Sequence, residues 1–355
     1  MPVFKIRLKF LSSLKELPSS QTLYGALFWG THYLFGEKKV SSLLRGFEEG
    51  APPFILSSFF FTIKEDWYPL PSLPLPRVKD LVEEAFSHMQ DFPRLRKEIE
   101  EKLGGKLPAE ERARQQAQHQ LLSSLLKSFS PGFVPENFLR EMLNRKSDLK
   151  ALFFNFLQED PEGEKPLTFK TSVEPRARID RLVFSTGGKG ELYFEELTRA
   201  AEKREGFFLL RTEEKLLEEI LLPSLRLIAE FGLGGNRSIG LGHFSYEGHE
   251  EVNEDFLEPR SHLCLLLSNT SPADERLIPE SQDSSYILGS ARPWRESLLG
   301  EGSEALPADR RFFFFRPGSI LRTREPREFY GAAFPYRNGS KAKVILYGLP
   351  LFYKE

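Results

Sequence analysis

A glycine-rich stretch between Phe231 and Phe244, FGLGGNRSIGLGHF, holds the residues of this chain best suited to chemistry. Glycine lacks a Cβ atom, so its backbone adopts positive φ readily and can lie close to a ligand. Successive unhindered N–H groups in such a loop form a concave anion site, and the guanidinium of Arg237 fits phosphate oxygens. The pattern therefore predicts a phosphate-binding loop. Its candidate contacts are Gly232, Gly234, Gly235, Asn236, Arg237, Ser238, Gly240, Gly242 and His243.

The spacing of these glycines differs from that of the two common nucleotide-binding loops. A P-loop requires G-x-x-x-x-G-K-[ST], whereas the fifth residue after Gly232 is Arg237 and no lysine follows it. A dinucleotide-binding loop requires G-x-G-x-x-G, and Arg237 also occupies the place of its third glycine. We therefore expect neither ATP nor NAD at the loop. A tight turn without any ligand is the alternative.

The segments beside the loop predict a helix before it and a strand after it. Glu213–Phe231 is rich in helix-forming residues and carries Leu and Ile at helical spacing. Leu241–Tyr246 alternates apolar and polar residues in the manner of a strand. A dinucleotide-binding loop joins its elements in the opposite order, which supports the exclusion of NAD.

The N-terminal region predicts a strand, a helix and a second strand. Val3–Phe10 alternates charged and apolar residues, Ser20–Phe35 is helical with Ser19 or Ser20 as its N-cap, and Pro53–Thr62 is strongly apolar. The charged face of the first strand meets either a ligand or solvent, and the sequence favours neither. That face carries Lys5, Arg7 and Lys9.

Two later regions predict an insertion and a hairpin. Residues about 77–150 are charged and helical in pattern, with the clearest amphipathic spacing at Glu110–Phe129. Leu167–Ile179 and Glu191–Phe194 alternate on either side of a turn-forming STGGKG sequence. The basic side chains of this hairpin contact either phosphates or solvent. They are Lys170, Arg176, Arg178 and Arg181.

The glycine-rich loop resembles that of the RAMP proteins of CRISPR systems. Other segments resemble the same proteins in the expected order: Ser19–Trp29, Pro53–Ser58, Arg178–Arg181, Gly190–Phe194, Gly318–Leu321 and Leu346–Phe352. Together they resemble the fourth-subunit family of type III-A (Csm) effector complexes, a Cas5-like branch of the superfamily. The chain departs at Val183, where members of the family often have threonine.

The resemblance implies a non-catalytic subunit that holds the 5′ handle of the crRNA. The subunit would join the large polymerase-like subunit to the backbone RAMP subunit in antiviral defence. RNA contacts implied outside the loop are Ser20, Arg176, Arg178 and Arg181. Bases splayed from the strand would stack on aromatic rings, and Phe231 and Phe244 flank the loop, although the sequence leaves their exposure open.

The resemblance also implies an α+β fold of two ferredoxin-like (RRM-like) RAMP domains, with a helical insertion in the first. We place the first domain at residues 1–205, with the insertion at about 77–150 and the hairpin at about 167–197. The second domain then covers residues 206–355 and contains the glycine loop, residues 231–244.

Composition limits the remaining possibilities. The chain has 355 residues, a net charge of −2 and one cysteine, so a disulfide within the chain is excluded and Cys264 is expected to be a buried thiol. The near-neutral charge indicates a local basic groove on a protein whose other faces are acidic. We expect a cytoplasmic protein without a signal peptide, membrane contact, metal, cofactor or small-molecule substrate.

Two other functions are compatible with the sequence. A RAMP-type crRNA-processing endoribonuclease would use a histidine as general acid or base, and His32 and His243 are the candidates. More than a hundred residues follow Phe244, whereas the loop of such nucleases usually lies near the C-terminus. The second possibility is an RNA-independent bridge between proteins, whose glycine loop is only a turn.

Overall fold

The chain divides by its internal contacts into two compact units, Met1–Asp66 with Phe169–Glu355, and Trp67–Thr168. The computed structural model describes residues 1–63, 65–72, 78–129, 133–143, 149–158, 170–177, 192–199, 205–252, 262–291, 294–295, 306–307, 311–325, 329–331, 333–337, 343–349 and 351–354. Over these ranges, none of the helices combines the length and the apolar character needed to cross a bilayer.

Helices and strands are both well represented in the described residues. The helices are α1 (Ser20–Glu48), α2 (Val78–Ser87), α3 (Pro93–Leu103), α4 (Glu111–Phe129), α5 (Glu136–Leu143), α6 (Leu149–Gln158), α7 (Glu214–Leu216) and α8 (Leu222–Phe231). The strands up to the glycine loop are β1 (Val3–Phe10), β2 (Phe54–Leu56), β3 (Phe60–Ile63), β4 (Glu65–Pro69), β5 (Phe133–Pro135), β6 (Lys170–Ala177), β7 (Leu192–Arg199) and β8 (Glu205–Thr212).

The strands after the glycine loop are mostly short. They are β9 (Phe244–Glu251), β10 (Leu263–Leu266), β11 (Leu277–Ile278), β12 (Leu288–Ala291), β13 (Trp294–Arg295), β14 (Leu306–Pro307), β15 (Phe312–Phe315), β16 (Ile320–Thr323), β17 (Phe334–Arg337), β18 (Lys343–Leu346) and β19 (Phe352–Lys354).

In the N-terminal sheet of the first unit, β1 lies between β8 and β9. Ile6 of β1 lies opposite Phe208 of β8 on one side and opposite His249 of β9 on the other, and both pairings are antiparallel. β2 and β3 pair with successive parts of β8. Because side chains alternate along a strand, one face of β1 is apolar and buried. Its residues are Phe4, Ile6, Leu8 and Phe10.

The helices α1 and α8 pack closely against each other in the same unit. Ser19 is the N-cap of α1, and its hydroxyl accepts a hydrogen bond from the amide of Thr22 at 3.3 Å. A Cβ atom on Gly30 would lie 2.4 Å from the carbonyl oxygen of Ser224, so glycine permits this helix crossing. Gly36, at φ 77°, interrupts α1 with a kink.

A seam of buried hydrogen bonds joins the N-terminal sheet to the C-terminal part of the first unit. The amide of Leu56 donates to the Tyr347 hydroxyl at 2.9 Å, and its carbonyl accepts from Ser268 Oγ at 2.7 Å. Burial raises the pKa of Tyr347, which keeps the phenol protonated. The amide of Asn269 donates to Ser20 Oγ at 3.1 Å. Ser20 is fully buried and has no exposed surface for the predicted RNA contact.

The C-terminal part of the first unit is built from strands in the described residues. β10 lies between β16 and β19, β11 pairs with β16, and β12 pairs with β15. Cys264 lies buried in β10, as predicted. A ferredoxin-like domain requires two helices against its sheet. Within the residues described after Glu251 no helix occurs, so the second such domain is not found there.

The contacts do not divide the chain at the predicted boundary between residues 205 and 206. The reason is the pairing of β1, because both of its partners, β8 and β9, lie after that boundary in sequence. Those strands and the glycine loop between them therefore belong to the same contact unit as the N-terminal sheet.

The second unit is mainly helical in its described residues. α2, α3, α4 and α6 pack around an apolar core. This core includes Leu81, Leu95, Leu122, Phe153 and Leu157. Within the unit, Trp67–Pro69 of β4 pairs antiparallel with Phe133–Pro135. The helical pattern predicted at about 77–150 corresponds to α2 through α6, which end at Gln158.

The charged face of β1 is neutralised by acidic partners. Lys5 Nζ lies 2.6 Å from Asp66 Oδ2, and Arg7 contacts both Asp66 at 3.3 Å and Glu250 at 2.7 Å. Burial raises the pKa of Asp66, but hydrogen bonds and charges, chiefly from Lys5, outweigh it and hold that pKa below its ordinary value. The paired charges on this face of β1 therefore favour a role in stabilising the fold over a role in binding RNA.

We expect Asp66→Asn to reduce the free energy of unfolding by about 2 kcal/mol at neutral pH, because it leaves the nearly buried Lys5 ammonium unpaired. Since the folded-state pKa of Asp66 is lowered, its contribution is complete above its ordinary pKa of about 4 and disappears as pH falls through the lowered value. Urea unfolding at pH 7 and at a series of acidic pH values measures this, and the two proteins should converge once the pH is below the lowered pKa of Asp66. Glu205→Gln, which removes the exposed partner of Lys9, should cost less than about 0.5 kcal/mol.

Candidate nucleic-acid interface

The helix that leads into the glycine loop contains a π-helical turn. α7 is followed by this turn at Leu217–Leu221 and then by α8, so the predicted helix over Glu213–Phe231 is confirmed. Pro223 lies directly after the π-helical turn, at the start of α8. α8 ends at Gly232, whose amide donates to the carbonyl of Ile228 at 2.9 Å.

The base of the glycine loop is closed by backbone hydrogen bonds. The amide of Leu233 donates to the carbonyl of Gly242 at 2.8 Å, and the amide of Gly242 donates to the carbonyl of Ser13 at 3.0 Å. A Cβ atom on Gly242, which has φ 75°, would lie 2.0 Å from the carbonyl oxygen of Leu233. A Cβ atom on Gly232 would lie 2.7 Å from the carbonyl oxygen of Leu241. These two glycines therefore allow the loop to close.

The tip of the loop differs from its base in its hydrogen bonding. Among the residues that the structure describes, no partner accepts a hydrogen bond from the backbone amides of Gly234, Gly235 or Asn236. Asn236 has a left-handed backbone at φ 62°, a conformation that reorients successive N–H groups. A short 3₁₀ turn, Arg237–Ile239, follows. Three consecutive donors and a neighbouring arginine fit a phosphate group.

A buried carboxylate connects this tip to two other segments. Glu195 of β7 is 8% exposed, and its Oε1 accepts a hydrogen bond from Asn236 Nδ2. Lys15 Nζ lies 3.7 Å from the same oxygen, and Arg176 Nε of β6 lies 3.8 Å from Oε2. Arg176 also contacts Glu174 at 3.1 Å. Glu195 therefore holds the loop tip, the segment after β1 and the β6–β7 pair together.

The predicted site residues are only partly brought together. Arg176 lies in β6, which pairs antiparallel with β7 as the hairpin pattern indicates. Arg178 and Arg181 lie outside the described residues, as does the side chain of Ser238. The amide of His243 donates to Ser12 Oγ at 2.9 Å, so its backbone anchors the loop. Ser20 lies in the seam described above.

The two phenylalanines beside the loop have opposite environments. Phe244 is 2% exposed and packs against Phe10. Phe231 is 48% exposed and stacks on Tyr33 of α1, with ring centroids 5.6 Å apart and an interplanar angle of 17°. Only the Phe231 ring is therefore accessible to a ligand.

The described residues include both histidines considered for a processing nuclease. They contain no cluster of His, Cys, Asp or Glu that would hold a metal ion. The ring of His32 lies among aromatic rings, 6.3 Å from those of both Trp29 and Tyr33. His243 is fixed through its backbone at the base of the loop.

Sequence reasoning missed three residues near the loop. Lys15 lies in the link after β1 and Glu195 lies beside a second glutamate, Glu196, in β7, so neither stands out in the sequence. Tyr33 is one of several aromatic residues in α1. The sequence contained one weak signal for Lys15. This residue lies in the short link between β1 and α1, and such a link must pass close to the end of the sheet where the glycine loop leads into β9.

The sequence model of the RAMP superfamily matches residues 17–245 of this chain. The CRISPR system Cms protein Csm4 of Thermococcus onnurineus (strain NA1) is 27% identical over 143 residues, which are 39% of this chain and 48% of that protein. Csm4 of Methanocaldococcus jannaschii is 37% identical over 91 residues, or 24% of each chain. The matched segments thus span less than half of either relative.

Solved structures extend the likeness to the whole chain. A chain of the Csm3–Csm4 subcomplex of the type III-A CRISPR-Cas interference complex has a TM-score of 0.57 at 16% identity, covering 100% of this chain and 99% of that chain. A chain of a Csm1–Csm4 cassette in complex with cA4 has a TM-score of 0.52 at 16% identity, covering 99% and 97%. These likenesses establish a shared mixed α/β fold. Among the relatives that the chain resembles are two Csm4 proteins. Because the family match runs from α1 through the glycine loop into β9, the chain belongs to the RAMP superfamily.

Proposed function

We propose that the chain is the RNA-binding structural subunit of a type III-A CRISPR effector complex and holds the 5′ handle of the crRNA. The main support is the tip of the glycine loop. There, three amides have no partner in the described part of the chain, and Arg237 and Lys15 lie beside them. Such a site binds phosphate through its backbone, so it grips RNA without catalysing a reaction.

The same proposal includes two protein partners, the large polymerase-like subunit and the backbone RAMP subunit. Its support is the fold shared with chains from Csm1–Csm4 and Csm3–Csm4 structures. A chain that holds the RNA end between these partners would bridge them. The net charge of −2 agrees with this role, because it leaves acidic surface for partners outside a small basic site.

We further propose that the N-terminal sheet with α1 and α8 is a ferredoxin-like domain that extends to Glu251. The order β1, α1, β2–β3, β8, α8, β9 follows the βαββαβ sequence of that fold, with the helical unit inserted between β3 and β8. In this arrangement the glycine loop joins the second helix to the last strand. The domain carries its RNA site at one end of its sheet.

The direct test is to purify the chain from its native host and to sequence the RNA that accompanies it. The proposal expects short RNAs with one repeat-derived 5′ end, together with the two partner proteins. RNA-free protein that still carries both partners would instead favour the protein bridge. Cleavage of a crRNA precursor that disappears in His32→Ala would favour the processing nuclease.

We expect Arg237→Glu to weaken binding of single-stranded RNA by about tenfold at low salt. Losing one phosphate contact should reduce the slope of log affinity against log salt by about 0.7. Filter binding across a salt series measures both quantities, and thermal unfolding should change little. Arg112→Glu makes the same charge change at an exposed position of α4 in the other unit and should leave affinity unchanged. Equal losses of affinity and stability in Arg237→Glu would show that this arginine is structural.

A further inference from the structure

Two aromatic side chains form an exposed stack at the entrance of the glycine loop. Tyr33 is 53% exposed and Phe231 is 48% exposed, although they come from different helices. Their rings are nearly parallel, with centroids 5.6 Å apart. Trp29 continues the series one turn earlier in α1, with its ring 5.8 Å from that of Tyr33. Many of the large aromatic side chains in the described residues are buried, so the exposure of this neighbouring pair requires an explanation.

The stack lies close to the amides at the loop tip. Gly234 follows Phe231 by three residues, so their Cα atoms are separated by at most about 11 Å. A strand of RNA presents phosphates and bases at comparable spacing, and proteins bind it by combining backbone donors or cations with aromatic faces. The loop supplies the donors, and the Tyr33–Phe231 stack supplies the faces.

We propose that the Tyr33–Phe231 stack is a platform for an unpaired base of the RNA whose phosphate is held at the loop tip. This inference rests on the proposed function and adds the base-binding part of the site. Stacking tolerates any base, because every base has an aromatic face. The platform therefore contributes affinity and orientation, and the phosphate contacts contribute the dependence on salt.

The alternative occupant of the rings is an apolar side chain of a protein partner. The position of the stack favours RNA, because Phe231 is the residue directly before the loop that would hold the phosphate. Phe231 remains 48% exposed although one of its faces lies against Tyr33, so its ring is still accessible to a flat ligand.

An abasic scan tests the platform directly. The full chain is titrated with labelled twelve-nucleotide single-stranded RNAs, each lacking one base but keeping every phosphate. In the wild-type protein, removing the base that occupies the platform should weaken binding by about 5- to 50-fold. Phe231→Ala and Tyr33→Leu should weaken binding of intact RNA by a similar factor, without changing the salt slope. In these variants, removing that base should cost nothing further.

Phe35→Ala is the matched control, because Phe35 is an exposed aromatic residue of α1 two positions from Tyr33 and outside the ring series. It should bind RNA like the wild type. If Phe231→Ala and Tyr33→Leu bind RNA normally but lose a protein partner, the stack is a protein interface and the platform is overturned. If both variants match the wild type in RNA binding while Arg237→Glu does not, the platform fails and the proposed function stands. A wild-type chain that binds no RNA overturns both.

Discussion

Gly242→Ala is expected to reduce the free energy of unfolding by about 3 kcal/mol or more, the largest loss of stability predicted for this protein. The new Cβ would lie 2.0 Å from the carbonyl oxygen of Leu233, and the backbone at φ 75° is unfavourable for any residue with a side chain. Both effects weaken the hydrogen bond that closes the loop, which the amide of Leu233 donates to the carbonyl of Gly242. Urea unfolding of the purified chain measures the loss.

Gly234→Ala is the control for the backbone part of this cost. Gly234 has φ 90°, but no atom lies within 4 Å of its would-be Cβ. The variant should therefore lose only about 1–2 kcal/mol, the cost of the left-handed conformation. Equal losses for the two variants would mean that the contact with Leu233 is relieved by movement of the loop.

Gly235→Asp is expected to weaken RNA binding by about a hundredfold or more, the largest effect on function predicted here. A carboxylate at this position lies among the amides that would hold a phosphate. It repels the phosphate and competes for Lys15. The nearest atom to the would-be Cβ is Lys15 Cδ at 3.3 Å, the end of a flexible side chain that can move. The chain should therefore fold normally.

Gly235→Ala separates the effect of the added charge in Gly235→Asp from the effect of the added side-chain volume. It should lose less than about fivefold in RNA affinity, because it adds one methyl group and no charge. Fluorescence anisotropy with single-stranded RNA, alongside circular dichroism melting, compares the two variants. If Gly235→Asp retained RNA while remaining folded, the loop would be a turn without a phosphate, and the bridging function would be preferred.

Local patterns in the sequence predicted local structure well. The cap at Ser19 and the helix–loop–strand order around the glycine loop depend on residues within a few positions of each other. The hairpin pattern likewise corresponds to the antiparallel pairing of β6 with β7. Hydrogen-bonding residue types and apolar spacing determine such features, and both are visible in a single sequence.

Features that depend on distant residues were not predictable. The pairing of Lys5 with Asp66 converts a face that looked basic into a neutral one. The burial of Ser20 depends on Asn269, which lies far along the chain. The role of Glu195 depends on how the β6–β7 pair meets the glycine loop. In each case a single sequence shows both residues but not their contact.

The position of β8 explains why the contact units do not divide at the predicted boundary. Phe60 of β3 pairs with Phe207 of β8, but the helical unit and the hairpin lie between them in sequence. A change of composition marks the insertion clearly, whereas the return to the original sheet has no mark of its own. The boundary was therefore placed where the chain re-enters the first sheet.

The seam at Leu56 has a consequence for synthesis on the ribosome. Its hydrogen-bond partner Tyr347 is 291 residues further along the chain. At about 5–20 residues per second, the ribosome needs roughly 15–60 s to reach it. During that interval the amide of Leu56 lacks its partner, and the end of β2 stays open to water or to a chaperone. Tyr347 thus supplies the partner of the Leu56 amide long after β2 has been synthesised, and nascent chains arrested before Tyr347 should exchange that amide rapidly.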